Sequence, residues 1–299
     1  MPIDIAVVPV AGRGTRLLPL TKSQPKEMLP VGRKPVVQYV VEELADCGIR
    51  RLLFITGPGK TAIENHFDID AELIRSLRET GKEELLVELE FERRKIEFFY
   101  TRQRCQLGLG HAVLCAKPFV GDQSFVLALG DSLLGLTSQS QAVSRMVEQF
   151  ESQDADAIIA FEEVHPEEVI HYGIAAPRGR AGDLFALEDL VEKPSVNEAP
   201  SNLAVAARYV CAGGVFDLLE KTPPGKGGEI QLTDALRQLI HNGGKVLGYR
   251  LSQADRRFDI GNFESYFRAL AESMLSDPQF GPAARKHVRT LLDQNRTPE

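Results

Sequence analysis

Directly after the short β-rich run 5–10 the chain reads Ala11-Gly12-Arg13-Gly14-Thr15-Arg16. Two glycines one residue apart let the backbone curl and turn its N–H groups towards an oxyanion, and an arginine beside them can pair with phosphate oxygens. From Gly12 to Lys34 the basic residues are Arg13, Arg16, Lys22, Lys26, Arg33 and Lys34, against Glu27 alone, a net of +5 inside a chain whose net charge is −7. A basic loop concentrated on an acidic protein suits a small polyanionic ligand. The glycine pair alone would serve equally as a tight turn with a solvated cationic rim; the length and charge of the loop favour phosphate. Leu17 stands where a dinucleotide fingerprint needs its third glycine, and Phe54 stands where a Walker A motif ending in Gly59-Lys60-Thr61 needs its first. Pro19, Pro25 and Pro30 also keep the loop from running straight into a long helix.

Such a loop needs strands and helices to hold it. Residues 5–10, 52–56, 96–101 and 124–129 read as short buried strands, and 35–47, 71–79, 111–116 and 141–151 carry apolar residues at helical spacing. Their alternation predicts right-handed βαβ units and a Rossmann-like α/β fold, with a mixed, mainly parallel sheet flanked by helices. Ligands of such sheets lie beyond the carboxyl ends of the strands. After about residue 155 the pattern loosens into strands at 157–161, 172–176, 184–191 and 203–211, some of them antiparallel. Helices are expected at 232–241, 263–275 and 280–292. A single domain over 1–275 is expected, with one part about 1–155, a smaller β-rich part about 156–275, and a helical tail over 276–299 suited to oligomerisation.

With 299 residues, 43% hydrophobic and 26% charged, the chain is neither disordered nor collagen-like. Its acidic balance argues against a nucleic-acid partner. Cys47, Cys105, Cys115 and Cys211 form no CxxC pair and are expected as reduced, mostly buried thiols. No apolar run reaches the roughly 18 residues of a membrane span, and Asp4 lies where a signal peptide would be positive. A cytoplasmic protein with no membrane partner is expected. The sequon Asn295-Arg296-Thr297 would then never meet the glycosylation machinery.

The run 10–16, followed by Pro25-Lys26-Glu27-Met28-Leu29-Pro30, resembles the signature of sugar-1-phosphate nucleotidylyltransferases, most narrowly the bacterial UTP–glucose-1-phosphate uridylyltransferases. The similarity continues in order through Ile63-Glu64-Asn65-His66-Phe67-Asp68, Gly108-Leu109-Gly110-His111, Val191-Glu192-Lys193-Pro194, Gly228-Glu229-Ile230-Gln231 and Phe258-Asp259-Ile260-Gly261-Asn262, nearly the whole chain. The resemblance implies a nucleotide-diphospho-sugar transferase fold, its 1–155 part binding nucleotide and its 156–275 part binding sugar. It implies a Mg²⁺-dependent reaction of UTP with glucose 1-phosphate, and a homo-oligomer, dimer or tetramer. Such a transfer needs alignment and charge neutralisation rather than a side-chain nucleophile.

By the same resemblance Arg16 and Lys26 clamp the triphosphate, and Ala11, Gly12, Gly14 and Thr15 form its backbone cradle. Gln103 reads uracil and Gly108 leaves room for the nucleoside. Asp131 and Asp259 hold Mg²⁺, Lys193 meets the sugar phosphate, and Glu192 and Gly173 meet the hexose. Taken singly, Lys26 and Gln103 would be surface residues, Asp131 a turn or cap residue, and Glu229 a helix N-terminal acid as readily as a sugar contact. His111 reads as structural. The sequence departs from the family at Gly130 and Ser132 around Asp131, at Leu107 in place of a lysine, and at Phe263-Glu264-Ser265-Tyr266. These departures leave open dTTP or another sugar phosphate as substrate. A regulatory paralogue that binds nucleotide without turnover also stays open, and more distantly a dehydrogenase.

Overall fold

In the first strand, Ile5 and Val7 bury into one apolar cluster while Ala6 and Val8 bury into another, so the run is apolar throughout because both its faces are covered. The computed structural model describes residues 2–136 and 140–294; the sequon at 295–297 lies outside them. Strand β1 (Ile5–Pro9) leads into the glycine-rich loop, the small hairpin β2–β3 (Pro30–Val31, Lys34–Pro35) and α1 (Val36–Asp46). Next come β4 (Arg51–Thr56), α2 (Thr61–Phe67), α3 (Ala71–Glu79), a 3-10 stretch Glu83–Arg93 and β5 (Glu97–Arg102). Helices α4 (Leu109–Leu114) and α5 (Lys117–Val120) precede β6 (Phe125–Ala128), β7 (Ser132–Leu134) and α6 (Ala142–Gln153). The later part holds β8 (Ala157–Glu163), β9 (Gly173–Pro177), β10 (Leu184–Glu192), β11 (Leu203–Cys211), α7 (Val215–Lys221), α8 (Leu232–His241) and β12 (Val246–Arg250). It closes with β13 (Arg257–Asp259), α9 (Phe263–Ser276) and α10 (Gly281–Gln294).

Nine strands form one sheet in the order β5-β4-β1-β6-β11-β8-β12-β10-β9. The four strands from the first half are mutually parallel. Beyond them β11 runs antiparallel to β6 and β8, and β10 antiparallel to β12 and β9, with β8–β12 again parallel. Helices α1, α2 and α6 cover one face, and α4, α5, α7 and α8 the other. A third cluster, including Leu17, Leu29, Val31, Leu133, Phe258, Ile260 and Tyr266, packs the glycine-rich segment against the two-stranded β7–β13 ribbon and α9. This cluster positions the site.

Every expected strand and helix is present, with ends moved by one or two residues. The additional α2 and α7 are only seven residues each, too short for a clear apolar period, and β12 carries Gly248 in its middle. Strands β7 and β13, three residues each, pair across more than 120 positions of sequence, which no local pattern encodes. No helix among the described residues is long and apolar enough to cross a membrane.

Candidate active site

The chain passes from β1 to β4 and β5 on one side, then returns to β6 on the other side of β1. That reversal opens a crevice between β1 and β6 at the carboxyl ends of the strands, the place where open α/β sheets bind ligands. The glycine-rich loop leaves β1 there, and Asp131 follows β6 there. Lys26 Nζ donates to Asp131 Oδ2 and forms an ion pair with it, closing a separation of 105 residues. Lys26 opens a 3-10 turn, Lys26–Met28, whose next residue Glu27 is buried and ion-paired with buried Lys60 at 2.7 Å. Lys60, the lysine of the incomplete Walker motif, is therefore an internal counterion that fixes the turn carrying Lys26.

A cavity of about 280 Å³ is lined by Ala11, Gly12, Lys26, Gln103, Gly108 and Asp131, together with Glu27, Gln106, Glu229 and neighbouring apolar residues. Six of the residues named from sequence thus share one wall. A larger groove of about 780 Å³, between α1, α2 and the 83–93 stretch, collects none of them. Gly14 has φ 66 and ψ 32, the left-handed region that favours glycine, and its carbonyl accepts from the Thr21 hydroxyl at 2.7 Å. Thr15 and Arg16 follow in an exposed 3-10 turn. Arg16 lies beside Asp259: a Cβ placed on Gly261 would come within 2.9 Å of Asp259 Oδ2 and 3.4 Å of Arg16 Nη2.

Asp259 pairs in register with Ser132 across the β7–β13 ribbon, and Ile260 N–H donates to the Asp131 carbonyl at 2.9 Å. The ribbon brings the two aspartates together. Burial and the neighbouring Asp131 charge push the Asp259 carboxyl above its ordinary value, against Arg257, Lys26 and Arg16. Burial also works against ionised Asp131, but Lys26 overcomes it and holds that carboxyl low. Burial opposes the charge on Lys26 as well, and Asp131 and Glu27 more than restore it. Two adjacent, partly shielded carboxylates are hard oxygen donors whose repulsion a divalent cation relieves, and Mg²⁺ characteristically takes one or two carboxylates plus phosphate oxygens. Among the described residues no group of three or more potential ligands forms a self-sufficient metal cage. The site therefore fits a cation that arrives with a phosphate ligand.

Gln103 is buried at the end of β5, and its amide N–H₂ contacts the Gly108 carbonyl and His111 Nδ1, each at 3.0 Å. With that orientation its carbonyl oxygen is placed to accept a hydrogen bond, as from the N–H of an imide. His111 orients Gln103, in keeping with its structural reading. Gln106, which the sequence did not single out, donates to the Ala11 carbonyl at 2.7 Å and ties this segment to the glycine-rich loop. Gly108 has φ 99, and an added Cβ would lie 2.7 Å from Glu229 Cβ and 2.8 Å from the Ile230 carbonyl oxygen. Gly108→Ala is expected to cost about 1–3 kcal/mol through backbone strain alone, lowering the thermal midpoint by several degrees. An unchanged melting curve would mean that this backbone shifts freely.

The residues expected to meet the sugar form a second group. Gly173 and Glu192 face each other in the β9–β10 pairing, and Lys193 N–H donates to the Tyr172 carbonyl at 2.9 Å. Lys193 has φ 46 and its Nζ lies 2.9 Å from Glu192 Oε1. None of the three lines the 280 Å³ cavity. The link between the groups is Arg257, which stacks on the Tyr172 ring two residues before Asp259. Glu27, Lys60, Gln106 and Arg257 were not anticipated. Glu27 did stand inside a quoted motif and Arg257 directly before one, and Lys60 stood in the incomplete Walker motif, whereas Gln106 carried no local signal.

The nucleotidyl transferase family model matches residues 5–274. The chain is 44% identical over 270 residues to a UTP–glucose-1-phosphate uridylyltransferase of Pseudomonas aeruginosa, covering 89% of this chain and 94% of that protein. It superposes on a UTP-bound UGPase from Acinetobacter baumannii with a TM-score of 0.88 and 39% identity, covering 97% and 99% of the two chains. On a UDP-glucose pyrophosphorylase complexed with UDP-glucose the TM-score is 0.81 at 35% identity, over 90% and 98%. With the α/β architecture, the crevice between β1 and β6 and these similarities together, the chain belongs to the nucleotidyl transferase family and, within it, to the UTP–glucose-1-phosphate uridylyltransferases.

Proposed function

We propose that the chain transfers UMP from UTP to glucose 1-phosphate, forming UDP-glucose and releasing pyrophosphate. The observation that carries this reading is the convergence of the glycine-rich loop, Lys26 and Asp131 in the β1–β6 crevice, beside a cavity whose wall includes Gln103. Relatives of the same length that bear this activity's name, and neighbours holding UTP or UDP-glucose, support it.

A phosphate oxygen of glucose 1-phosphate attacks the α-phosphorus of UTP in line, and pyrophosphate leaves from the opposite side. The attacking phosphate is ionised at neutral pH, so the chain supplies neither nucleophile nor general base. Its contribution is alignment and fixed charge. The backbone at Gly12, Gly14 and Thr15 cradles the triphosphate, with Ala11 against the nucleotide, and Arg16 and Lys26 oppose its charge. Gln103 reads the uracil imide, and Gly108 leaves the nucleoside space. Lys193 holds the sugar phosphate, Glu192 accepts from a hexose hydroxyl, and Gly173 admits the ring to the backbone. Asp131 and Asp259 would hold Mg²⁺, which when bound neutralises charge on the α-phosphate.

The nucleotide part is assigned to 1–155 and the sugar part to 156–275. Exposed Phe267, Phe280, Leu291 and Leu292 on and between α9 and α10 support a homo-oligomer, dimer or tetramer. The charged substrates do not cross a bilayer unaided, and we assign the reaction to the cytoplasm, with no nucleic-acid or membrane partner.

Pyrophosphate release over a matrix of UTP, dTTP and other nucleotides against several sugar 1-phosphates, with and without Mg²⁺, tests the proposal. UTP with glucose 1-phosphate is expected to be fastest, and EDTA to abolish turnover. Thymine shares uracil's imide edge, so faster turnover with dTTP would overturn the uridylyl assignment. Lys193→Ala is expected to raise KM for glucose 1-phosphate about 10- to 100-fold, the value of one charge-assisted hydrogen bond, with KM for UTP little changed. An unaltered sugar-phosphate KM would remove Lys193 from the site.

A further inference from the structure

We propose that Arg257 is a positioning residue for this transfer, holding the Asp259 carboxylate and the sugar-side segment at Tyr172 in one fixed relation; the proposal rests on the uridylyl-transfer reading above. The Arg257 side chain is only 8% exposed, and its Nε–H donates to Glu162 Oε1 at 2.6 Å. Glu162 belongs to β8, in the main sheet, so the guanidinium is anchored to the scaffold and not to a loop. The guanidinium carbon lies 4.5 Å from the centre of the Tyr172 ring, a cation–π contact strengthened by the surrounding desolvation.

What lies on either side gives the contact its meaning. Along β13, Arg257 and Asp259 are two residues apart and so share one face of the strand. That places a permanent cation next to the carboxylate that is paired, across the ribbon, with the Asp131 strand. On the other side, the Tyr172 carbonyl accepts from Lys193 N–H, and Gly173 follows it opposite Glu192. Lys193 is itself held at φ 46, a conformation that persists only where its surroundings enforce it. A shielded Arg–Glu pair contributes little net stability compared with apolar residues of the same size. Arg257 differs from such a pair in touching the ring that leads into the sugar contacts while neighbouring a metal-site carboxylate.

Three variants test this: Arg257→Met removes charge and fork, Arg257→Lys keeps charge without the planar group, and Tyr172→Leu removes the ring. Steady-state KM for glucose 1-phosphate and for UTP would be measured, with Mn²⁺ affinity of the UTP-bound protein followed by electron paramagnetic resonance. For Arg257→Met, both the sugar-phosphate KM and the Mn²⁺ dissociation constant are expected to rise about tenfold, with KM for UTP within about twofold. Arg257→Lys is expected to recover Mn²⁺ affinity but not the sugar-phosphate KM, since an ammonium does not reproduce the stacked fork. Tyr172→Leu is expected to raise the sugar-phosphate KM alone. A lower kcat with all three constants unchanged in folded Arg257→Met would overturn the proposal, reducing Arg257 to a packing residue. If that variant does not fold, a normal sugar-phosphate KM in both Arg257→Lys and Tyr172→Leu overturns it instead. Absence of uridylyl transfer by the unmodified protein would refute the functional reading, while the Mn²⁺ measurement would still decide whether Arg257 supports the carboxylate.

Discussion

Lys26→Met should lower kcat by about 10²- to 10³-fold, the cost of removing one preorganised charge from a shielded transition-state site. The expectation follows from where Lys26 sits. Its ammonium is ion-paired with Asp131, its side chain is 16% exposed, and the 3-10 turn that carries it is fixed from beneath by Glu27–Lys60. A cation held so firmly needs little reorganisation when charge develops on the transferring phosphorus, and its absence is felt more in the transition state than in the ground state. KM for UTP should therefore change much less than kcat. Calorimetric UTP binding beside steady-state pyrophosphate release separates the two. If kcat falls less than about tenfold, Lys26 serves only as the counterion of Asp131. In that case the Lys26→Met/Asp131→Asn double variant should be no worse than Asp131→Asn alone.

Much of this geometry was legible in the residues. The glycine spacing and the concentration of basic residues before position 35 pointed to a phosphate ligand, and the family resemblance named Lys26, Gln103 and Asp131, which the crevice between β1 and β6 gathers. These signals are local: they depend on a few consecutive residues and on strand and helix periods. The contacts that convert the residues into a site are not local. The β7–β13 ribbon joins three residues to three others far along the chain, and only that pairing sets Asp131 beside Asp259. Lys60 shows the reverse case: its Gly-Lys-Thr context resembles part of a phosphate loop, the missing first glycine at Phe54 argues against one, and its burial against Glu27 makes it structural. A motif reports residue types; burial decides what they can reach. Tyr172, Gly173, Glu192 and Lys193 stood in separate sequence fragments, and their connection to Asp259 through Arg257 appears only when β13 is placed against β8 and the segment before β9.

The largest loss of stability is expected from Arg208→Met. Arg208 is completely buried in β11, where Nη2 donates to Glu43 Oε2 at 2.6 Å and to the Ser132 carbonyl at 3.0 Å, and Nη1 donates to the Ala207 carbonyl at 3.1 Å. Nε completes a two-pronged grip on Glu43 at 3.1 Å. Glu43 lies on α1, and Ser132 directly follows Asp131, so this one side chain joins helix, sheet and the strand that leaves Asp131. Burial pushes the Glu43 carboxyl above its ordinary value, and Arg208 opposes that shift. Removing the guanidinium strands Glu43 in the core and leaves the Ser132 carbonyl without its donor, while the Ala207 carbonyl keeps the Leu129 N–H at 3.1 Å, an expected cost of about 3–5 kcal/mol. In a protein of this size that corresponds to a thermal midpoint lower by roughly 10 °C. Replacing both partners, as in Arg208→Met/Glu43→Leu, removes the uncompensated charge and should recover most of the loss, because apolar pairs of similar volume are often as stable as a buried ion pair. Activity should not recover with stability, since the Ser132 carbonyl beside Asp131 still lacks its donor. Thermal denaturation of both variants together with their kcat decides the point: a double variant less stable than Arg208→Met would mean that the ion pair itself holds the fold. Full activity in the double variant would mean instead that the Ser132 contact does not position Asp131.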